Sequence, residues 1–189
     1  SSTIDLNGND QTVGTLRTGW SGPEARILYS VAPATLTVNQ SGNSEYNGSL
    51  TGAVTLVKTG AGNLTLAGTN STHGSFIVGA GTLTVGAVGQ LGDACTNVVV
   101  NGGTLALAHS ATVSDAAALR VADGGGAKVE LGAGVNEAVG TLFLGGKQKR
   151  VGTYGATGSG ASVIDNEHFA GSGILTVLHD NSGTMIKVQ

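Results

Sequence analysis

The sequence predicts an all-β protein, a parallel β-helix (β-solenoid) of roughly nine short coils. Three observations lead there. The phrase G-x-apolar-x-apolar recurs along the chain, its leucines Leu36, Leu64, Leu83 and Leu105 fall 28, 19 and 22 residues apart, and Gly and Asn punctuate the gaps. Near-identical phrases about twenty residues apart put like residues over like when coils stack, which favours a solenoid over a sandwich or barrel of antiparallel strands. At ~20 residues per coil and roughly 4.8 Å per coil, 189 residues would make a rod around 40 Å long.

The elements follow in order. Residues 2–6 alternate as a strand, and Asn7-Gly8 supplies the positive φ of a tight turn. Residues 33–38 are a weak copy of the phrase, Asn47-Gly48 a second turn, and residues 53–57 a further strand. GNLTL at 62–66, GTLTV at 81–85 and GTLAL at 103–107 are the clearest copies, with strands at 75–78 and 97–100 between them and Asn101-Gly102 as a turn. Their period-two alternation marks a strand with one buried face, and Thr and Val suit it. Residues 114–121, SDAAALRV, read either as a short helix capped by Ser114 or as a strand carrying Leu119 and Val121. Residues 127–131 are weak, whereas GTLFL at 140–144 and GILTV at 173–177 are strong. Asp165 is placed to cap a turn before Phe169. Residues 1–180 form one solenoid domain, and residues 181–189 a C-terminal strand that either caps the rod or pairs with another molecule.

Composition narrows the class. There are 33 Gly but only 2 Pro, which excludes collagen. A hydrophobic fraction of 40% with a net charge of −3 excludes a disordered linker and gives no reason to expect nucleic acid. The cluster Lys147-Gln148-Lys149-Arg150 reads as a solvated turn. Aromatics make up only 4%, so the core must be built from Val, Leu, Ile and Ala. One cysteine, Cys95, allows no intrachain disulfide and reads as a buried structural thiol. No segment approaches the ~18 continuous apolar residues of a membrane helix.

The stretch KTGAGNLTLAGTN at 58–70, continuing through Thr72-His73-Gly74 to residues 81–85, resembles the autotransporter-associated β-strand repeat of bacterial passenger domains. Residues 4–9, 34–38 and 46–50 look like the segment that often precedes that repeat, and the tail from Gly140 to Gly173 is similar to closing segments of large secreted proteins. The likeness is close over 57–85 and looser elsewhere; Thr72 stands where the family often has an aromatic. It implies a right-handed parallel β-helix, secreted or displayed on a bacterial surface, with no catalytic residue. Only about ten residues follow the repeats, far short of a membrane barrel, so a passenger fragment or a secreted protein without its own barrel is expected.

No catalytic residue, metal site or cofactor is expected. The histidines His73, His109, His168 and His179 form no metal-binding spacing, and His168 reads as hydrogen-bonded to its acidic neighbours Asp165 and Glu167. Asp123-Gly-Gly-Gly126 is one imperfect piece of a calcium-binding repeat. Asp5, Asp10, Glu130 and Glu137 are the carboxylates available for a polysaccharide lyase or hydrolase. Trp20, Tyr29, Tyr46 and Tyr154 are the candidates for glycan contact in an adhesin module. The leading expectation is a non-catalytic extracellular stalk or fibre element that self-associates end to end, with Ile4, Leu6, Met185, Ile186 and Val188 as the pairing residues.

Overall fold

The computed structural model describes residues 2–18 and 26–180; Trp20, Met185, Ile186 and Val188 lie outside them. Among the described residues every regular element is a strand. The first coil carries β1 (Ser2–Asp5) and β2 (Gln11–Val13), the second β3 (Arg26–Asn39) and β4 (Ser44–Tyr46), and the third β5 (Ser49–Thr59) and β6 (Asn63–Leu66). The fourth has β7 (Ser71–Thr72), β8 (Phe76–Val78) and β9 (Thr82–Val85), and the fifth β10 (Asn97–Val100) and β11 (Thr104–Leu107). The sixth has β12 (Ala118–Val121), β13 (Lys128–Leu131) and β14 (Asn136–Val139). A closing segment adds β15 (Thr141–Leu144), β16 (Lys147–Gln148), β17 (Gly152–Gly155), β18 (Val163–Ile164), β19 (Phe169–Gly171) and β20 (Ile174–Val177).

The strands stack in parallel into rows. One sheet runs β1-β3-β5-β8-β10-β12-β15-β16, a second β19-β13-β11-β9-β6-β4, and a third β14-β20-β17-β18. The two clearest copies of the phrase lie directly over each other: Leu64 faces Leu83 and Leu66 faces Val85. The next copy continues the column, with Leu83 on Leu105 and Leu105 on Val129. All of these side chains are fully buried. Each such side chain is worth about 1.5–3 kcal/mol of burial, and the core is a ladder of many similar aliphatic contacts.

The solenoid makes about six turns rather than nine. Two causes account for the difference. Coils lengthen toward the C-terminus, so that Leu105 pairs with Val129. The chain then leaves the regular path, and Val129 pairs next with Phe169. Among the intervening residues β15 still stacks in parallel on β12, after which β16 folds back on β15 and β17 runs against β20, both antiparallel. At residues 114–121 the alternation wins: β12 is a strand with Leu119 and Val121 inward, while Ser114 caps the turn before it by accepting from the Ala116 N–H at 3.3 Å.

Polar side chains hold the corners from inside. The buried Gln40 amide donates to the Gly42 and Asn63 carbonyls at 3.1 and 2.6 Å. The buried Asn70 accepts from the Leu50 N–H at 2.8 Å. Thr72 sits buried between the Gly52 and Val54 carbonyls and accepts from the Gly74 N–H. A hydroxyl there closes the corner by hydrogen bonding, where an aromatic would close it by bulk. Cys95 is buried, as expected, and burial pushes its thiol up.

Candidate functional site: the ends of the rod

The ends of the solenoid differ. At the C-terminal end β16 covers the last two residues of β15, β20 is flanked by β14 and β17, and β19 pairs with β13 alone among the described strands. At the N-terminal end β1 and β2 each pair with β3 and with no other described strand. Beside them a groove of about 380 Å³ is lined by Ile4, Leu6, Val13, Leu16, Leu28 and Leu36, with Gln11, Thr15 and Arg17 at its margin. Leu6, Leu28 and Leu36 are buried members of the core, whereas Ile4 is 62% exposed. The groove thus continues the aliphatic core beside the first described coil. Of the five residues expected to pair between molecules, the structure places Ile4 and Leu6 here.

The described aromatic candidates lie on three different sheets. Tyr29 is half-buried on the first sheet, Tyr46 is buried on the second, and Tyr154 is buried on the third. Alternation puts Tyr46 in the inward column over Leu66, and the Tyr154 hydroxyl donates to the Arg150 carbonyl at 2.8 Å. These two rings are buried with the core. An outer-face aromatic that sequence reading passed over is Phe143, half-buried with the Arg120 guanidinium 3.9 Å above its ring. The outward columns Val57-Ile77-Val99 and Arg120-Phe143 share one face, and period two on a solenoid makes that arrangement readable in retrospect.

The carboxylates do not pair across a groove either. Asp5 and Asp10 belong to the first coil, and Asp10 is engaged with the Thr35 N–H at 2.7 Å. Glu130 is exposed on β13, and Glu137 on β14 points into the core. Five rungs, about 24 Å, separate the first pair from the second, against the ~5–9.5 Å that glycoside hydrolysis needs.

Glu137 has a structural task. Its carboxylate accepts from the N–H groups of Thr112 and Val113 and from the Thr112 hydroxyl, at 2.8–3.2 Å. This braces a turn in which Ala111 adopts a φ of 59°. Burial raises its pKa, although the three donors pull the other way. A raised folded pKa means that the folded chain holds the proton more tightly. The associated stability is therefore complete below the unfolded value of about 4.3 and fades as pH rises through the folded value. Glu137→Gln keeps an acceptor for the two N–H groups and an amide for the hydroxyl. It is expected to flatten the decline of melting temperature above pH 4.3, whereas Glu137→Leu, which strands buried donors, should cost about 2–4 kcal/mol. Thermal melts of the three proteins between pH 4 and 8 check both expectations. A slope unchanged in Glu137→Gln would contradict the assignment.

His168 ties the closing segment to the sixth coil. Its Nδ1 faces the Asp165 carboxylate at 3.0 Å and its Nε2 faces Asp123 Oδ1 at 3.1 Å. Burial would raise the Asp165 carboxyl, but the backbone and ring of His168 and the Glu167 N–H outweigh it and hold that carboxyl below its ordinary value. Asp123 comes from 45 residues upstream, a contact that local reading of Asp165 and Glu167 could not supply. Asp123, Glu167 and His168 bring one ligand atom each within 4.8 Å of one another, a trio of possible metal donors among the described residues.

No helix among the described residues is long and apolar enough to cross a membrane. No family model, curated protein or solved structure matches the chain.

Proposed function

We propose that this protein is a non-catalytic structural rod, a β-solenoid stalk or fibre element outside a bacterial cell whose molecules join end to end. The observation that carries this reading is a difference among the described strands: β16 folds back over part of β15, whereas β1 and β2 pair with no described strand but β3 and lie beside an apolar groove. An uncovered strand edge templates pairing with another chain, and natural solenoids cover their ends. Unlike ends that complement each other give head-to-tail contacts, which extend without closing. The likeness of residues 57–85 to the autotransporter-associated repeat supports the extracellular, bacterial part of the reading. The inward turn of Tyr46, Tyr154 and Glu137 weighs against the adhesin and hydrolase readings.

The test is mass against concentration. Light scattering on the purified chain should show species at successive multiples of the monomer mass, growing in number as concentration rises. A single monomeric species at every concentration would overturn the reading.

A further inference from the structure

We propose that the occupant of the N-terminal groove is residues 184–188 of a second copy of this chain, laid as a strand along its edge. This rests on the end-to-end reading above and names the contact that makes it.

The groove asks for a strand. Its wall is formed by β1 and β2, which pair with no described strand on the side away from β3. Its floor is the apolar group Ile4, Leu6, Val13, Leu16, Leu28 and Leu36. A guest strand gains backbone hydrogen bonds from such an edge and specificity from alternate side chains set into pockets. Thr184-Met185-Ile186-Lys187-Val188 has that pattern. In an extended strand Ile186 and Val188 share one face, and Lys187 is on the other. With Ile186 and Val188 turned to the floor, Lys187 faces water.

The guest must come from another molecule. Before residue 181 the chain is anchored beside the last rung: the Leu178 and His179 N–H groups donate to the Val139 and Gly140 carbonyls, and Asp180 accepts from the Val151 N–H. Four residues lead from Asp180 to Thr184 and span at most about 14 Å. Six rungs separate β1 from β15 in the first sheet, about 29 Å along the rod. The molecule's own groove is out of reach, whereas a copy stacked beyond its C-terminal end presents the same groove at close range. Repetition of that contact gives a polar filament.

The experiment compares the full chain with a chain lacking residues 181–189, by light scattering and electron microscopy, with circular dichroism to show that both are folded. The full chain should polymerise and the truncated chain should stay monomeric with its strand signal intact. A synthetic peptide of residues 181–189 should bind the truncated chain and raise its melting temperature. Ile186→Asp in the peptide, or Leu16→Asp in the groove, should weaken that binding by about tenfold or more, because either sets a charge against the apolar floor. In the full chain, a mixture of Ile4→Cys and Ile186→Cys molecules should form the mixed disulfide. Equal polymerisation of the full and truncated chains would overturn this inference and leave the end-to-end reading standing. A monomeric full chain would overturn both. Peptide binding indifferent to Ile186→Asp and Leu16→Asp would show that the groove is not its site.

Discussion

Gly62→Ala is expected to destabilise the rod by about 3 kcal/mol or more, while Gly42→Ala, one coil away, should change stability by less than about 1 kcal/mol. A Cβ on Gly62 would lie 1.9 Å from the Gly42 carbonyl oxygen and 2.6 Å from its carbon. Both are backbone atoms of the adjacent coil, so no side chain can move aside. The rungs would have to separate, and the column of buried leucines beginning at Leu64 would part with them. A Cβ on Gly42 meets nothing within 4 Å. Restricting the unfolded chain then brings a small gain or none. Chemical denaturation of the two variants beside the wild type checks the contrast. Similar losses at both positions would mean that glycine acts here through chain flexibility and not through close stacking.

Lys58→Met should cost about 2–3 kcal/mol. Lys58 stands in an inward column otherwise aliphatic, between Val38 and Val78. Its side chain is fully enclosed, and its ammonium donates to the carbonyls of Thr59, Gly60 and Ala80 at 2.7, 2.9 and 3.3 Å. Two opposed effects meet at this corner. Burial disfavours the charge and lowers the lysine pKa. Three carbonyls from successive corners nonetheless converge on the ammonium, that of Thr59 also accepting from the Gln40 N–H at 3.2 Å. Methionine keeps most of the stem's packing and drops the ammonium, leaving buried carbonyls without that donor. Hydrogen bonds to a charged group are worth about 1.5–3 kcal/mol each, so loss of donation outweighs relief from desolvation. A Lys58→Met protein as stable as wild type would show that the aliphatic ladder alone closes the corner.

The strands were legible in the sequence because a solenoid coil has a short local code. Glycine opens a turn, and two apolar residues at alternate positions follow it inward. All five strong copies of the phrase became strands. Which row each would join was not legible, because every face of the rod asks for the same pattern. The copies at 62–66, 81–85 and 103–107 stack in one sheet, but β15 joins the first sheet and β20 the third. The number of coils was misjudged for a related reason: the segment between Val129 and Phe169 uses the same residue types as the coils but includes β16 and β17, which run antiparallel to β15 and β20. Lys58 could have been found, since it follows Val54 and Leu56 in phase and so must point inward. The contact of Asp123 with His168 could not, because only the fold brings those two coils together. At the N-terminal groove, alternation alone sets Ile4 and Leu6 on one face of their strand, but Leu16, Leu28 and Leu36 reach the same groove through stacking.

End-to-end assembly of rods whose strands lie across the axis is tested most directly by X-ray diffraction from oriented filaments of the full chain. Stacked solenoids predict a meridional reflection near 4.8 Å, the spacing between rungs along the filament. Filaments in which that reflection falls on the equator would place the strands along the axis and contradict the account.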